Sequence, residues 1–322
     1  MRGAVRRLTR VAALHRALTR STALQHAARR ASMAAAAGKA LPRVAVGQLN
    51  STGDHAANLA QAEKLCAAAA AAGANLLCLP EAFSFIGASP QETISQAEAL
   101  DGPRLEQYRT LARRHGLWLS LGGFHEAGAP GNRVHNTHVV VDAAGATVAE
   151  YRKIHLFDVD VPGGATLLES KSTTPGKAEA VVVDARDQLG FTFGLTTCYD
   201  VRFPELYVAL ARRGCDAILV PSAFTVPTGE AHWHLLLRAR AVESQSYILA
   251  AAQSGAHNEK RRSYGHALAV DPWGVVVADA GDAAPSLVTV DLDLEKVRSI
   301  REKMPIQAHR RRDVVELLLD DG

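Results

Sequence analysis

The chain has 322 residues, of which 48% are hydrophobic and 21% charged, with a net charge of +3. That length can bury a large core, as one big domain or two ordinary ones, and no uninterrupted apolar run approaches the ~18 residues of a membrane-spanning helix. The charge is uneven: residues 1–42 hold eight Arg and Lys39 and no acidic residue, so the remainder carries six net negative charges, which argues against a nucleic-acid binder.

Met1 to about Ala40 has Arg6, Arg7, Arg10, Arg16 and Arg20 spaced among Leu and Val. This is the composition of an organellar transit peptide, mitochondrial or plastid, and a disordered basic arm is the alternative. Met33, followed by four Ala, offers a second start for a cytosolic form. From Arg43 onward strand-like and helix-like segments alternate. Val44–Leu49 predicts a strand, Asp54–Ala72 an Ala-rich helix ended by Gly73, and Asn75–Leu79 a buried strand stopped by Pro80. Pro103–His115 predicts a helix opened by its proline. Leu117–Gly122, His135–Asp142 and Thr147–Tyr151 predict strands, the last two joined by a turn at 143–146. Gly122-Gly123 and Gly163-Gly164 read as turn glycines without a phosphate-binding pattern. Val181–Asp184 and Phe191–Thr196 continue the sheet, a helix spans Pro204–Arg213, and Ala217–Val220 is a strand. Then come a helix over Ala231–Glu243, strands at Tyr247–Gln253, Tyr264–Val270, Val275–Ala278 and Ser286–Val290, and a helix over Leu294–Lys303. The first half reads as α/β with covered sheets, and the later strands as a second sheet packed on the first. With no linker or repeat, a single domain covers about 43–310, and a tail, 311–322, is expected to pack on a partner subunit.

The four cysteines, Cys66, Cys78, Cys198 and Cys215, form no C-x-x-C pair and no disulfide framework, which suits a reducing compartment. Cys66, Cys78 and Cys215 sit in apolar segments and read as core residues. Cys198 ends a strand and precedes a polar segment, Tyr199-Asp200-Val201-Arg202-Phe203-Pro204-Glu205. That is a strand-to-helix turn, the setting of nucleophile elbows, and a helix start with nearby cations is expected to favour thiolate. Glu81 directly follows the buried run Leu76–Pro80, at the sheet edge where α/β folds gather ligands. Partial burial is expected to raise its pKa and suit it to accept a proton near neutrality. Lys153 ends the strand from Thr147, and alternation puts it on one face with Tyr151 and His155; there it could hold an oxyanion. Taken alone, Glu81 reads better as a capping or salt-bridging residue and Lys153 as a surface lysine.

Together, Glu81, Lys153 and Cys198 in these contexts resemble the nitrilase superfamily of carbon–nitrogen hydrolases, over a match running from Val44 to about Asp291. The resemblance implies a four-layer αββα sandwich, pairing into an eight-layer αββααββα homodimer, and a cofactor-free amidase. It casts Cys198 as nucleophile, Glu81 as general base, and Lys153 with the Tyr199 backbone N–H as oxyanion donors, with Glu169 as a second glutamate beside the triad. The implied cycle is attack by Cys198, loss of ammonia protonated through Glu81, and hydrolysis of a thioester.

Several stretches resemble the branch of that superfamily acting on deaminated glutathione: Lys153–Asp158, Cys198–Glu205, Pro221–Phe224, His232–Glu243, Asn258–His266 and Asp271–Gly274. That implies release of 2-oxoglutarate and cysteinylglycine; the omega-amidase branch, acting on 2-oxoglutaramate, is similar but less so over 255–266. Arg202 is the candidate for the substrate's 2-oxo-acid carboxylate, Phe224 lines the pocket, and Lys260 and Arg261 meet the glycine carboxylate at its mouth. A solvated hairpin turn is the other reading of 260–262. Glu230, where relatives have proline, is expected in the first turn of its helix. His125, His135 and His138, like His232 and His234, lack ligand spacing such as H-E-x-x-H, so no metal is expected. A Cys–His protease leaves Glu81 and Lys153 unexplained. A non-catalytic dimeric scaffold with this fold has no need of all three residues.

Overall fold

The computed structural model describes residues 41–160, 166–311 and 313–314. The expected leader, the Gly163-Gly164 pair and nearly all of the expected tail lie outside the described residues. No helix among the described residues is long and apolar enough to cross a membrane.

Strand β1 (Arg43–Leu49) shows why the body is layered. Along most of its length it pairs with β2 (Leu76–Leu79), parallel to it, and β16 (Ser286–Asp291), antiparallel. Val44, Val46, Leu76 and Cys78 point into one buried cluster with Phe193, Leu195 and Ile218, whereas Ala45, Leu49, Leu77 and Leu79 point into another with helices. Both faces are buried, so the strands read as continuous apolar runs. The helices on the outer face are α1 (His55–Ala71) and α3 (Pro103–His115). The Asp54 carboxylate caps α1 by accepting from the Ala56 and Ala57 amides, and Pro103 opens α3, which Gly116 ends in the left-handed region. A short helix missed from the sequence, α2 (Pro90–Ser95), is capped by Ser89.

The first sheet has eight strands, β13-β12-β1-β2-β3-β4-β5 with β16 also on β1. It includes β3 (Trp118–Ala129), β4 (Arg133–Val141), β5 (Thr147–Arg152), β12 (Ala252–Ala256) and β13 (Arg262–Tyr264). The second sheet has six, β15-β14-β11-β10-β9-β8, from β8 (Val182–Ala185), β9 (Phe191–Leu195), β10 (Ala217–Leu219), β11 (Tyr247–Ala250), β14 (Leu268–Val270) and β15 (Val276–Asp279). Helices α4 (Pro204–Arg212) and α5 (Val226–Ser244) cover it, with Leu206, Tyr207, Leu210, Trp233, Leu237 and Ala241 buried in the same cluster as its strands. The result is the expected αββα sandwich. A small hairpin, β6 (Asp158–Asp160) with β7 (Thr166–Leu168), stands apart from both sheets, and α6 (Leu294–Lys303) and α7 (Ile306–His309) close the described chain.

Four expectations change. Tyr247–Gln253 is two strands, because the chain leaves the second sheet at Ala250 and joins the first at Ala252. Tyr264–Val270 divides likewise, Arg262–Tyr264 in the first sheet and Leu268–Val270 in the second. At the first crossing hydropathy continues unbroken through 250–252, because either sheet buries the chain; at the second, Gly265 and His266 interrupt it. Helix α5 begins at Val226, not Ala231, with Pro227 in its first turn, so Glu230 stands past that turn and gains no contact with the helix's positive end. Gly122-Gly123 is not a turn. It is a bulge inside β3, where the register on β4 slips between Leu121 and Phe124.

Candidate active site

That bulge clears the space where chemistry gathers. A Cβ on Gly122 would fall 2.0 Å from Cβ of Pro221, and one on Gly123 would fall 2.8 Å from Cγ of Glu81 and 2.7 Å from Oδ1 of Asn136. Gly123 also has φ +71°, so both packing and backbone demand glycine there.

Glu81 follows β2, nearly inaccessible to solvent. Its Oε1 accepts from Lys153 Nζ at 3.0 Å and Asn136 Nδ2 at 2.8 Å, and its Oε2 accepts from the Ala223 amide at 3.1 Å. Lys153 stands one residue past the end of β5, its amide donating to the Asn136 carbonyl. Because the strand ends at Arg152, alternation fails for Lys153: Tyr151 and His155 meet at Asp200, while Lys153 turns to the glutamates. Its Nζ donates also to both Glu169 oxygens, at 3.1 and 2.9 Å. Glu169 in turn accepts from Asn136 Nδ2 and the Phe157 amide. Lys153 is therefore a buried cation held between two carboxylates.

Cys198 sits at φ +48°, a left-handed conformation that costs a β-carbon residue roughly 1 kcal/mol or more. Its amide donates to the Pro221 carbonyl at 2.9 Å. The strain is held by Asp200, fully buried two residues on. Asp200 accepts from the Thr197 amide (2.8 Å), the Tyr151 hydroxyl (2.7 Å), and the His155 amide and Nδ1 (3.2 and 2.8 Å). One carboxylate thus ties the turn bearing Cys198 to the strand end bearing Lys153. Cys198–Arg202 is a 3-10 turn whose first internal bond is from the Asp200 amide to the Thr197 carbonyl. With the Cys198 amide engaged by Pro221, the Tyr199 amide is the one that such a turn leaves for an external acceptor.

The protonation pattern reverses two expectations. Burial alone would raise Glu81, but the Lys153 ammonium and the hydrogen bonds from Cys198 and Lys153 outweigh it, and the carboxyl stays below its ordinary value. Burial, then the Glu81 charge and hydrogen bond, push the Cys198 thiol well above the ordinary range against the pull of Lys153. The resting site is accordingly a neutral thiol facing a carboxylate rather than a thiolate. Burial would lower Lys153, yet Glu169, Glu81 and Cys198 hold it well above an ordinary lysine. Cys66, Cys78 and Cys215 are buried thiols pushed up to about 12, chiefly by burial.

The other sequence candidates lie around this centre. Arg202 stacks near the faces of Tyr199 and Phe224, 5.8 and 5.9 Å from their centroids, and donates to His232 Nδ1 at 3.2 Å. Phe224 is buried against Trp233, beside the Ala223 amide that holds Glu81. Arg261 is half-buried, and its charge reaches Glu81, His125 and His257. Lys260 is exposed in the turn between β12 and β13, where its amide and that of Arg261 donate to Asn258 Oδ1. Sequence reasoning missed Asn136, which donates to both glutamates and whose buried Oδ1 has no protein partner. Within the mixed run 133–138 nothing marked Asn136 out; its being a fully paired donor between two glutamates shows only in the fold.

A thiol facing a carboxylate, a buried ammonium and a backbone N–H at the nucleophile is a set for acyl transfer. Comparison with known proteins agrees. Residues 43–302 match the Carbon-nitrogen hydrolase family. The Homo sapiens deaminated glutathione amidase is 49% identical over 278 residues, 85% of this chain and 84% of that one. The crystal structure of the C. elegans NitFhit protein superposes with a TM-score of 0.79 at 44% identity, covering 86% of this chain and 67% of that one. A mutant of the amidase from Nesterenkonia sp. AN1, with acrylamide added at its active-site cysteine, gives 0.68 at 28% identity, over 82% of this chain and 98% of that one.

Proposed function

The chain belongs to the carbon–nitrogen hydrolase family and acts on carbon–nitrogen bonds other than peptide bonds, and we propose that its substrate is deaminated glutathione, cleaved to 2-oxoglutarate and cysteinylglycine. The observation that carries the chemistry is a buried Lys153 ammonium bonded to both Glu81 and Glu169, with the Glu81 charge acting on the Cys198 thiol. In this reading Cys198 sulfur attacks the amide carbon as its proton passes to Glu81, and the oxyanion is met by Lys153 Nζ and the Tyr199 amide. Glu81 returns the proton to the departing nitrogen, the C–N bond breaks, and a thioester remains. Water then attacks the thioester, losing its proton to Glu81, and the thiol is restored. For this substrate the leaving group is the amine of cysteinylglycine; ammonia would leave only from a primary amide. Glu169 keeps Lys153 charged, and Asn136 fixes both carboxylates.

The substrate is supported by relatives named for that activity. Two cations suit its carboxylates: Arg202 beside the nucleophile turn, and the half-buried Arg261. The test measures 2-oxoglutarate release from deaminated glutathione and from 2-oxoglutaramate, with Cys198→Ala as blank. A kcat/KM ratio of about a hundred or more for deaminated glutathione is expected, roughly 3 kcal/mol of transition-state discrimination. Arg261→Ala should raise its KM about tenfold and leave 2-oxoglutaramate unaffected. The reverse preference would make the enzyme an omega-amidase.

Pairing into a homodimer belongs to the same proposal. Leu235 and Val242, seven residues apart on α5, are 67% and 40% exposed, and Trp273 and Val275 beside them are 59% and 50% exposed. Arg238 donates to the Gly274 carbonyl, so these residues form one apolar surface. Light scattering should give twice the chain mass, and Leu235→Glu should give a monomer; a wild-type monomer refutes the pairing.

A further inference from the structure

A second cluster of metal-ligating side chains lies where α5 meets the edge of the six-stranded sheet. His234 is on α5, His266 stands between β13 and β14, and Asp279 ends β15. Their sequence separations gave no hint of a site, since only His234 belonged to any pair of nearby histidines. In the fold, one ligand atom from each lies within 4.8 Å of the others. His234 Nε2 is 2.9 Å from Asp279 Oδ2, and His266 Nδ1 is 3.0 and 3.2 Å from the two Asp279 oxygens.

We propose that His234, His266 and Asp279 form a binding site for a borderline divalent cation, Zn2+ or Co2+ by class, that clamps α5 to the sheet. Metal–ligand bonds of about 2.1 Å to imidazole and carboxylate place tetrahedral ligand atoms about 3.4 Å apart. Both His–Asp separations are already close to that value. The two imidazole nitrogens, within 4.8 Å of one another, would close to about that separation as the cation entered. Two nitrogens with one carboxylate favour Zn2+ or Co2+ over Mg2+ or Ca2+, which prefer all-oxygen shells. Each imidazole nitrogen now donates a proton to Asp279, so binding requires both rings neutral, with the proton on the other nitrogen.

Two features hold the ligands before any cation arrives. His266 adopts φ +59° and stacks on Tyr264 at 4.6 Å. Trp233, adjacent to His234, donates Nε1 to the His266 carbonyl at 2.8 Å, so helix and loop are already joined one residue from the site. The cluster donates nothing to Glu81, Lys153 or Cys198, and the role is structural: Trp233 packs on Phe224, next to the amide that holds Glu81. A cation at the cluster stiffens the outer support of that wall.

The test uses the full chain, freed of metal by a chelator, and titrates Zn2+ by calorimetry and Co2+ by its visible absorption. One equivalent should bind with micromolar affinity and raise Tm by several degrees, because only the folded state brings the three ligands together. His266→Ala and Asp279→Asn should each weaken binding at least about tenfold, while His309→Ala leaves it unchanged. Amidase activity and the metal-free Tm of each variant report that it has folded. No uptake by the wild type at 100-fold excess, or the same affinity in folded His266→Ala, overturns the site and leaves the amidase reading untouched.

Discussion

Glu81→Gln is expected to abolish amide hydrolysis while making Cys198 alkylate faster at neutral pH. Two roles of the same carboxylate separate here. As a base, Glu81 takes the thiol proton and returns it to the leaving nitrogen, and Gln can do neither, so kcat should fall by about 10³–10⁴. As a charge, Glu81 pushes the Cys198 thiol up, second only to burial. Neutral Gln removes that repulsion and leaves Lys153 as the nearest charge, which favours thiolate. Lys153 and Asn136 can still donate to the Gln oxygen, but its amide nitrogen then faces the Ala223 N–H, leaving one buried donor unpaired at about 1–3 kcal/mol. Iodoacetamide rates at the Cys198 peptide, read by mass spectrometry beside kcat, check both halves. If alkylation slows in step with turnover, the charge argument fails. The wild-type pH profile follows from the same signs. Glu81 is held below its ordinary value, so kcat/KM should stay level through neutrality and fall only when acid protonates Glu81. No gain is expected near the usual thiol range, because Cys198 ionises well above it.

The elements bearing Glu81 and Cys198 were legible because each ends where a buried strand stops. Leu76–Leu79 runs into Pro80-Glu81, and Phe191–Leu195 runs into the turn closed by Pro204; such breaks are local and need no partner to be seen. The nitrilase resemblance supplied what spacing alone did not, namely that Lys153 is no surface lysine. Three things stayed hidden because they depend on which chain segments meet. The sign of the shifts on Glu81 and Cys198 turns on Lys153 and on their own contact, 72 and 117 residues apart in sequence from Glu81. Asp200 stood within a quoted stretch, but its grip on Tyr151 and His155 exists only across the two sheets. His234, His266 and Asp279 come from three separate elements, and no spacing rule joins them.

Lys153→Met should both silence the enzyme and invert the pH dependence of its stability. With the ammonium gone, the oxyanion keeps one donor, the Tyr199 amide, and kcat should drop by about 10²–10³ or more. Glu81 and Glu169 would lose the cation they share, and breaking such a buried pair costs about 3–5 kcal/mol. In the wild type the carboxyl of Glu81 is lower folded than unfolded. It therefore stabilises the fold above the unfolded value, and that contribution is lost as pH falls through the folded one. In the variant burial is the largest influence left on Glu81, and it raises the folded value above the unfolded one. Folding then takes up a proton, so stability should climb as pH falls from 7 toward 5. Arginine at 153 would keep the charge but needs room for a planar fork in a site closed by Asn136 and both glutamates, so it should not restore kcat. Urea midpoints of wild type and Lys153→Met across that range decide the matter. Parallel curves would mean that Glu81 remains ionised without Lys153, and that something other than this ammonium holds its charge.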